Sequence, residues 1–490
     1  MASKELYGRT VIYADVSEVD SSNIGEVVQK AYEKHETNSS DIDYLYNVYL
    51  GKQDILQRTK TYNAEINNKI VVNRANEIVS FKTGYLLSAP IQFIDKAAND
   101  EEETVDNDDL ATLSEWCSLE DKETSDMSIA QWQCICGTAF RMALPYAEVV
   151  EGMSPFEMID LDPRTTFVVY SSRLGHKALV GVSYVTMTDD TKLFYCYTDK
   201  EFFVLNDSFE PVTDDDMKGG AHSLGMIPII EYPANDARLG DIEIVLPLMD
   251  AENVVESNAV DGVEQFIQSI LCMEGMEIMP GNDQTQTEAE SDFMTQLREV
   301  GGLMLPQGAK AYYLAQELNQ DQTETLKDDI YERILTISGM PNRNGGSSTS
   351  DTGAAVVLRD GWSAAESRAT IREKYFKRSE RKFLDLIIMI ANENGLSLEP
   401  KNVGIRFPRR NYTNDQANVS NLITLLSNDW VRPEFAYEHS NLTPDPHKEY
   451  LLAKKWHETR EEETVNDLAN VNAEMSEDEH EDDHDTEEAV

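Results

Sequence analysis

From Leu239 to Leu297 the chain carries many carboxylates and not one lysine or arginine, and within that stretch apolar residues recur at helical spacing. On a helical wheel Val255, Ala259, Val263, Phe266 and Ile270 fall on one side, and Asp250, Ser257, Asp261, Glu264 and Gln268 fall on the other. The pattern requires a helix with one packed face and predicts that the opposite face is wet and negative. On a lone globule such a face is ordinary surface. Repeated around a symmetric ring, it makes an acidic bore.

At 490 residues and 41% hydrophobic, the chain can bury enough surface for roughly two to four modules. Its formal charge of −48 excludes a general nucleic-acid clamp, because lysine and arginine carry phosphate binding. No charged-then-apolar leader opens the sequence, and the longest apolar run, Leu384 to Ala391 broken by Asp385, is too short to span a bilayer. The expectation is a protein made in a cytoplasm with no membrane partner. Cys117, Cys134, Cys136, Cys196 and Cys272 include no CxxC pair, and Cys134 and Cys136 point in different directions on one predicted helix, so both read as core thiols. The histidines lack ligand spacing, and no metal or cofactor is expected. There is no phosphate loop, nucleophile elbow or HExxH pair, which argues against an enzyme.

Along the chain, a polar arm over residues 1–40 contains a short helix at 24–35. Asp41 then N-caps a helix over 41–58, and a further helix over 71–83 stops at Gly84. A strand at 91–94 and an acidic loop at 99–109 precede helices at 109–119 and 128–141. Runs at 166–170, 178–186 and 193–197 read as an antiparallel meander, with another strand at 227–232. The acidic helix occupies 247–273, and Pro247 either opens it or kinks a helix begun near Asp241. A compact insertion over 274–322, with strands at 276–279, 302–305 and 311–314 and a helix at 288–298, leads into a returning helix over 324–337. That helix has an apolar stripe of Leu326, Ile330, Ile334 and Ile337. Together these parts make a hairpin of helix, tip and helix.

Asn342, Arg343, Asn344, Gly345, Gly346, Ser347, Ser348, Thr349, Ser350 and Asp351 are too rich in glycine, serine and asparagine for regular structure and read as a mobile loop. The helix that follows, over 354–394, bends at Gly361 and carries Arg359, Arg368, Arg372, Lys374, Lys377, Arg378, Arg381 and Lys382. Short helices broken at Pro433 and near Pro444 and Pro446 fill 411–457. From Glu461 onward there is no lysine or arginine, and an acidic disordered tail is expected.

In this order the parts resemble a portal protein of the tailed bacteriophages, with a siphovirus-like head-to-tail connector layout, over roughly residues 44–456. The resemblance rests on Tyr44-Leu45-Tyr46-Asn47-Val48-Tyr49-Leu50-Gly51, on Asn67-Asn68-Lys69-Ile70-Val71-Val72-Asn73 and on Gly84-Tyr85-Leu86-Leu87-Ser88-Ala89-Pro90-Ile91. Ser338-Gly339-Met340-Pro341 and Thr352-Gly353-Ala354-Ala355 add to it. It implies an α+β, predominantly helical portal fold assembled as a dodecameric ring at one capsid vertex of the virion, for packaging and ejection of double-stranded DNA. Carried onto this sequence, it divides the chain into arm (1–40), wing (41–238), stem helix (239–273), clip (274–322), second stem helix (323–340) and tunnel loop (341–353). A long kinked wing helix with a following strand (354–410), crown (411–460) and tail (461–490) complete the division.

Asp250, Ser257, Asp261, Glu264 and Gln268 would then line the DNA channel, and Asn342 to Asp351 would form the tunnel loop. Arg343 would either touch phosphate or pair with a neighbouring subunit's carboxylate. The implied partners are other copies of the chain, DNA passing without tight binding, the terminase large subunit, head-completion or adaptor proteins, and the major capsid and scaffolding proteins. The acidic tail has no counterpart in that layout. A minor head protein or adaptor is the rival reading.

Overall fold

The computed structural model describes residues 4–61, 64–96, 108–150, 152–214, 218–267, 270–275, 285–300, 309–314, 320–342, 361–408, 415–440, 442, 446 and 449–460. They divide into two compact units, neither of them one continuous span. The first draws on Met1–Phe81, Ile129–Met142 and Ile159–Met340, the second on Lys82–Ser128, Ala143–Met158 and Pro341–Val490.

In the first unit, helix α1 (Ile24–Tyr49) runs unbroken where the sequence suggests two pieces. Asn38 and Ser39, poor helix formers at the expected break, spend their side chains on tertiary bonds. Asn38 holds both the N–H and the carbonyl of Thr10, and Ser39 Oγ donates to the Arg164 carbonyl at 2.7 Å. Asp41 is therefore a helix-interior residue, not an N-cap. The nearby His35 ring lies against Phe167 at 4.6 Å, and burial pushes its pKa down to about 4, so the imidazole stays neutral.

The continuous helix serves two cores. Its first half (Ile24, Val27, Val28, Ala31) packs on a six-stranded sheet, against Val169, Val180, Val182 and Phe194. That sheet, in order β1-β5-β6-β7-β8-β9, comprises β1 (Ile12–Ala14), β5 (Thr166–Ser171), β6 (Ala178–Thr186), β7 (Lys192–Tyr197), β8 (Glu201–Leu205) and β9 (Gly220–Ala221). All its pairings are antiparallel except β1 with β5, where Ile12 faces Val169. The meander follows the runs of β-branched and aromatic residues that mark it in the sequence.

The second half of α1 (Ile42, Leu45, Val48) enters another cluster. There it meets Ala75, Ile78 and Val79 of α2 (Arg74–Leu86), Cys134 and Cys136 of α4 (Lys122–Cys136), and Leu246 and Met249 at the start of α5 (Leu246–Ile267). Ile330, Ile334 and Leu335 of α7 (Gln320–Ser338) close the cluster. Both cysteines are core thiols as the sequence suggests, and burial pushes Cys136 up to about 12. Pro247 lies in the first turn of α5, which settles its role as a helix start. Between α5 and α7 the chain forms β11 (Ile270–Glu274), α6 (Gln286–Val300) and β12 (Lys310–Leu314), with Ile270 opposite Leu314 and Glu274 opposite Lys310. The strands expected at 276–279 and 302–305 lie outside the described residues.

The chain passes between the units within α4 and within the strands β3 (Phe140–Pro145) and β4 (Phe156–Leu161); β10 (Ile229–Glu231) pairs with residues 140–142 of β3. In the second unit α8 (Trp362–Glu393) has Gly361 at its N-cap, whose φ of +83° suits glycine, and the part of the expected helix before it, 354–360, lies outside the described residues. Phe376, Phe383, Leu384, Ile387 and Ile390 are buried along α8. Arg381 donates to the carbonyls of Pro400 and Val403, beside the antiparallel pair of β13 (Val403–Arg406) and β2 (Gln92–Asp95). Helix α3 (Asp108–Leu119) also belongs here, together with α9 (Asp415–Leu426) and α10 (Pro433–Ser440). The break expected at Pro433 falls between α9 and α10, and Pro433 opens the second of them. Residues 449–460 are helical. Among the described residues no helix is long and apolar enough to cross a membrane.

Gly137, between α4 and β3, has φ +79°, and a Cβ there would stand 2.1 Å from the Arg238 carbonyl oxygen. Gly137→Ala is expected to destabilise the first unit by about 1–3 kcal/mol, read as a lowered midpoint in calorimetry; an unchanged midpoint would contradict this packing.

Candidate functional site

The hairpin of α5 and α7 is the element that the sequence marks for function, and its geometry rests on the segment connecting α1 to α2. That segment ends in residues 66–73, which lie extended along α5 as a strap and run antiparallel to it. Its N–H groups alternate: Asn68 donates to Asp261 Oδ1 at 2.8 Å, Ile70 to Ser257 Oγ at 3.0 Å and Val72 to Asn253 Oδ1 at 2.7 Å. Two extended residues advance about 6.6 Å and four helical residues about 6 Å, so a strap of period two meets a helix of period four nearly in register. A row of short polar side chains on one helix face thereby supplies the acceptors that a β-strand partner would otherwise provide.

Charge closes both ends of this ladder. At one end Asp261 takes ion pairs from Arg58 (3.2 Å) and Lys60, and Asn68 Nδ2 donates to both Asp261 and Glu264 at 2.9 Å. Burial would raise the Asp261 pKa, but the Lys60 ammonium and the Asn68 donors outweigh it and hold the carboxyl below its usual range. At the other end Arg74 pairs with Glu252 at 2.8 Å and Glu77 at 2.9 Å, and its guanidinium lies 3.8 Å from the Tyr331 ring centroid on α7. Lys327 of α7 reaches Glu256 of α5 at 2.7 Å. The hairpin is thus tied together by charge above the apolar cluster at its base.

The base has a buried anchor of its own. Arg9 donates to Glu243 at 2.5 Å, and Glu243 also accepts the N–H groups of Gly240 and Gly8. Beside it Glu231 binds Arg238, the Tyr170 hydroxyl and Thr138. Burial would raise the Glu231 pKa, but the Arg238 guanidinium outweighs that and keeps the carboxyl charged.

These contacts overturn the expected polarity of α5. Ser257 is 0% and Asp261 3% exposed, and Glu264 is half-buried under Asn68, so this face is docked on the strap and is not a wet lining. Asp250 is half-buried, and Gln268 lies outside the described residues. On the supposed packing face Val255 is partly buried, while Val263 is 38% exposed. A wheel plot assumes that carboxylates seek water; here two cations and the backbone and side-chain amides of Asn68 supply a better site. The cations Arg58 and Lys60 and the amide Asn68 carried no recognisable signal as partners of α5, although Asn67 to Asn73 is among the stretches behind the family resemblance.

The exposed carboxylates of the hairpin stand on α7. Asp321, Glu324, Asp328 and Glu332, spaced three, four and four apart, share one exposed stripe. Asp329 pairs with Arg333 at 3.0 Å. Of the expected loop, Asn342 is half-buried in the second unit, and Arg343, Asn344, Gly345, Gly346, Ser347, Ser348, Thr349, Ser350 and Asp351 lie outside the described residues.

A paired helical hairpin with an inserted β-ribbon tip, on an α+β body, is the architecture that the sequence resemblance implies. The family described as phage portal protein, SPP1 Gp6-like, matches residues 29–465, and the chain belongs to that family. It is similar to the portal protein of Bacillus phage SPP1, at 20% identity over 503 aligned positions that cover 96% of this chain and 91% of that protein.

Asp261→Asn is expected to cost about 2–4 kcal/mol, since it leaves Arg58 and Lys60 facing a neutral group. Because the folded pKa of Asp261 is depressed, its contribution is complete above the unfolded value of about 3.9 and disappears as pH falls through the lower folded value. The stability gap between wild type and variant should therefore close on acidification; a gap that stays constant down to the acid limit would refute the ionic part of the ladder.

Proposed function

We propose that the chain is one subunit of a closed ring, a dodecamer in the virion, through which double-stranded DNA enters and leaves a capsid at one vertex. The observation that carries this reading is the α5–α7 hairpin with its tip, in a chain whose family match spans residues 29–465. In this reading the hairpin is the stem, residues 270–314 are the clip that meets the terminase large subunit and the head-completion or adaptor proteins, and residues 342–351 are a loop reaching into the passage. Residues 411–460 form the crown, on the side of the major capsid and scaffolding proteins.

Side-by-side assembly suits the surface of α5. Val254 and Val263 are each 38% exposed and stand nine residues apart, about half a turn round the helix, so apolar side chains face opposite flanks. A head-to-tail ring has two different neighbours for each subunit, one to cover each flank.

The wall facing DNA is assigned to α7. A cationic lining would hold phosphates through many simultaneous contacts, each releasing counterions, and would trap the duplex. The stripe of Asp321, Glu324, Asp328 and Glu332 avoids this. With a Debye length of about 8 Å at physiological salt, such carboxylates act when the duplex nears the wall, and they centre it.

Native mass spectrometry and negative-stain images of the purified chain should give a ring with a central hole; a monomer at assembly concentrations would favour a minor head protein or adaptor instead. The triple change Asp321→Lys, Glu324→Lys, Asp328→Lys is expected to leave the ring intact and slow DNA packaging severalfold. Packaging at the wild-type rate would remove α7 as the lining.

A further inference from the structure

The second unit buries a lysine against two acids. Lys122, at the start of α4, is 6% exposed, and its Nζ lies 2.6 Å from Asp126 Oδ2 and 2.7 Å from Glu380 Oε1. Asp126 is 3% exposed and Glu380 is fully buried. The Phe93 ring of β2, its centroid 5.3 Å from Nζ, adds an apolar wall.

Each member is placed by the helix that carries it. Lys122 and Asp126 stand four residues apart, so one face of α4 brings them together. Glu380 enters from the buried side of α8, where Phe376, Phe383 and Leu384, each about one turn away, are buried as well. Lysine is almost never this buried unless paired, and taking its ammonium and two carboxylates out of water is costly. One carboxylate would match the charge. An amine, a carboxyl group and a second carboxylate in contact, away from water, are the components of amide formation.

We infer that Lys122 and Asp126 are joined by an isopeptide bond that the folded protein forms by itself, with Glu380 as the proton carrier. The bond formed is Nζ–Cγ, and the bond broken is Cγ–Oδ2. Of the three ammonium protons, one stays on the amide nitrogen and two leave with the oxygen as water. Glu380 takes one of those two from Nζ and hands it to the departing oxygen. No oxidant, reductant or activating group is required. A hydrogen-bonded carboxylate holds its carbon about 3–3.5 Å from the nitrogen, the separation of a near-attack pair, and the helix makes the encounter intramolecular. Burial favours the product, because the step removes an ion pair from a dry site and keeps hydrolytic water away. Asp126 is the acyl partner because a link across one helical turn closes without drawing α4 and α8 together. Glu380 then accepts the N–H of the new amide. The link would staple the first turn of α4, the helix within which the chain passes between the units. It stands apart from the ring reading, since one chain carries all three residues.

The test is mass spectrometry of the denatured full-length protein after trypsin digestion. Cleavage after Lys122 should be lost, and residues 97–141 should appear as one peptide lighter by one water, about 18 Da, with fragmentation interrupted between Lys122 and Asp126. Asp126→Ala should restore cleavage and full mass. Glu380→Gln, close to glutamate in shape, should slow linkage roughly a hundredfold, so that freshly purified protein is mostly unlinked while circular dichroism shows it folded. Recovery of 97–122 and 123–141 at full mass from the wild type would overturn the inference whatever the variants do. A link from Lys122 to Glu380, or complete linkage in folded Glu380→Gln, would overturn the roles given to the two acids.

Discussion

The docking of the 66–73 strap on α5 is the constraint on which the hairpin depends. Asn253, Ser257 and Asp261 sit four residues apart on the helix and receive N–H groups two residues apart on the strap. The near match of the two repeats lets an irregular connection bury its backbone without a sheet to join. Asp261 is the end stop of this ladder, because it alone combines a backbone donor, a side-chain amide and two cations.

One consequence is that α5 has two mechanically different parts. Its first turns, with Leu246 and Met249, belong to the apolar cluster shared by α1, α2, α4 and α7. Beyond Asn253 the helix is held by hydrogen bonds and ion pairs on one side and leaves Val254, Val260 and Val263 exposed. Hydrophobic burial is non-directional and tolerant of small shifts, whereas a ladder of polar bonds fixes register and responds to pH and salt. The base of the hairpin is therefore set by packing and its shaft by electrostatics.

Much of the architecture is legible in the sequence. The strands at 166–171, 178–186 and 192–197 follow from runs rich in β-branched and aromatic residues, and α7 follows from Ile330 and Ile334 recurring at helical spacing. The break expected between 35 and 41 was not there, because propensity scores Asn38 and Ser39 as helix breakers without knowing that Thr10 and Arg164 would engage them. The candidate site was legible as a hairpin but not as a surface. Asp261 and Ser257 read as solvent-facing because their partners lie some two hundred residues earlier in the chain, and no local pattern announces so distant a counter-charge.

By itself, the sequence determined the classes of element, their order, the hairpin with its inserted tip, the family resemblance and the excess of negative charge. Those properties are local or additive, set by spacing, composition and side-chain chemistry. Only the tertiary structure decided which carboxylates face water. Burial of a charge depends on whether donors converge on it, and the convergence of Arg58, Lys60 and Asn68 on Asp261 exists only once the strap has folded onto the helix, leaving the exposed acids to α7.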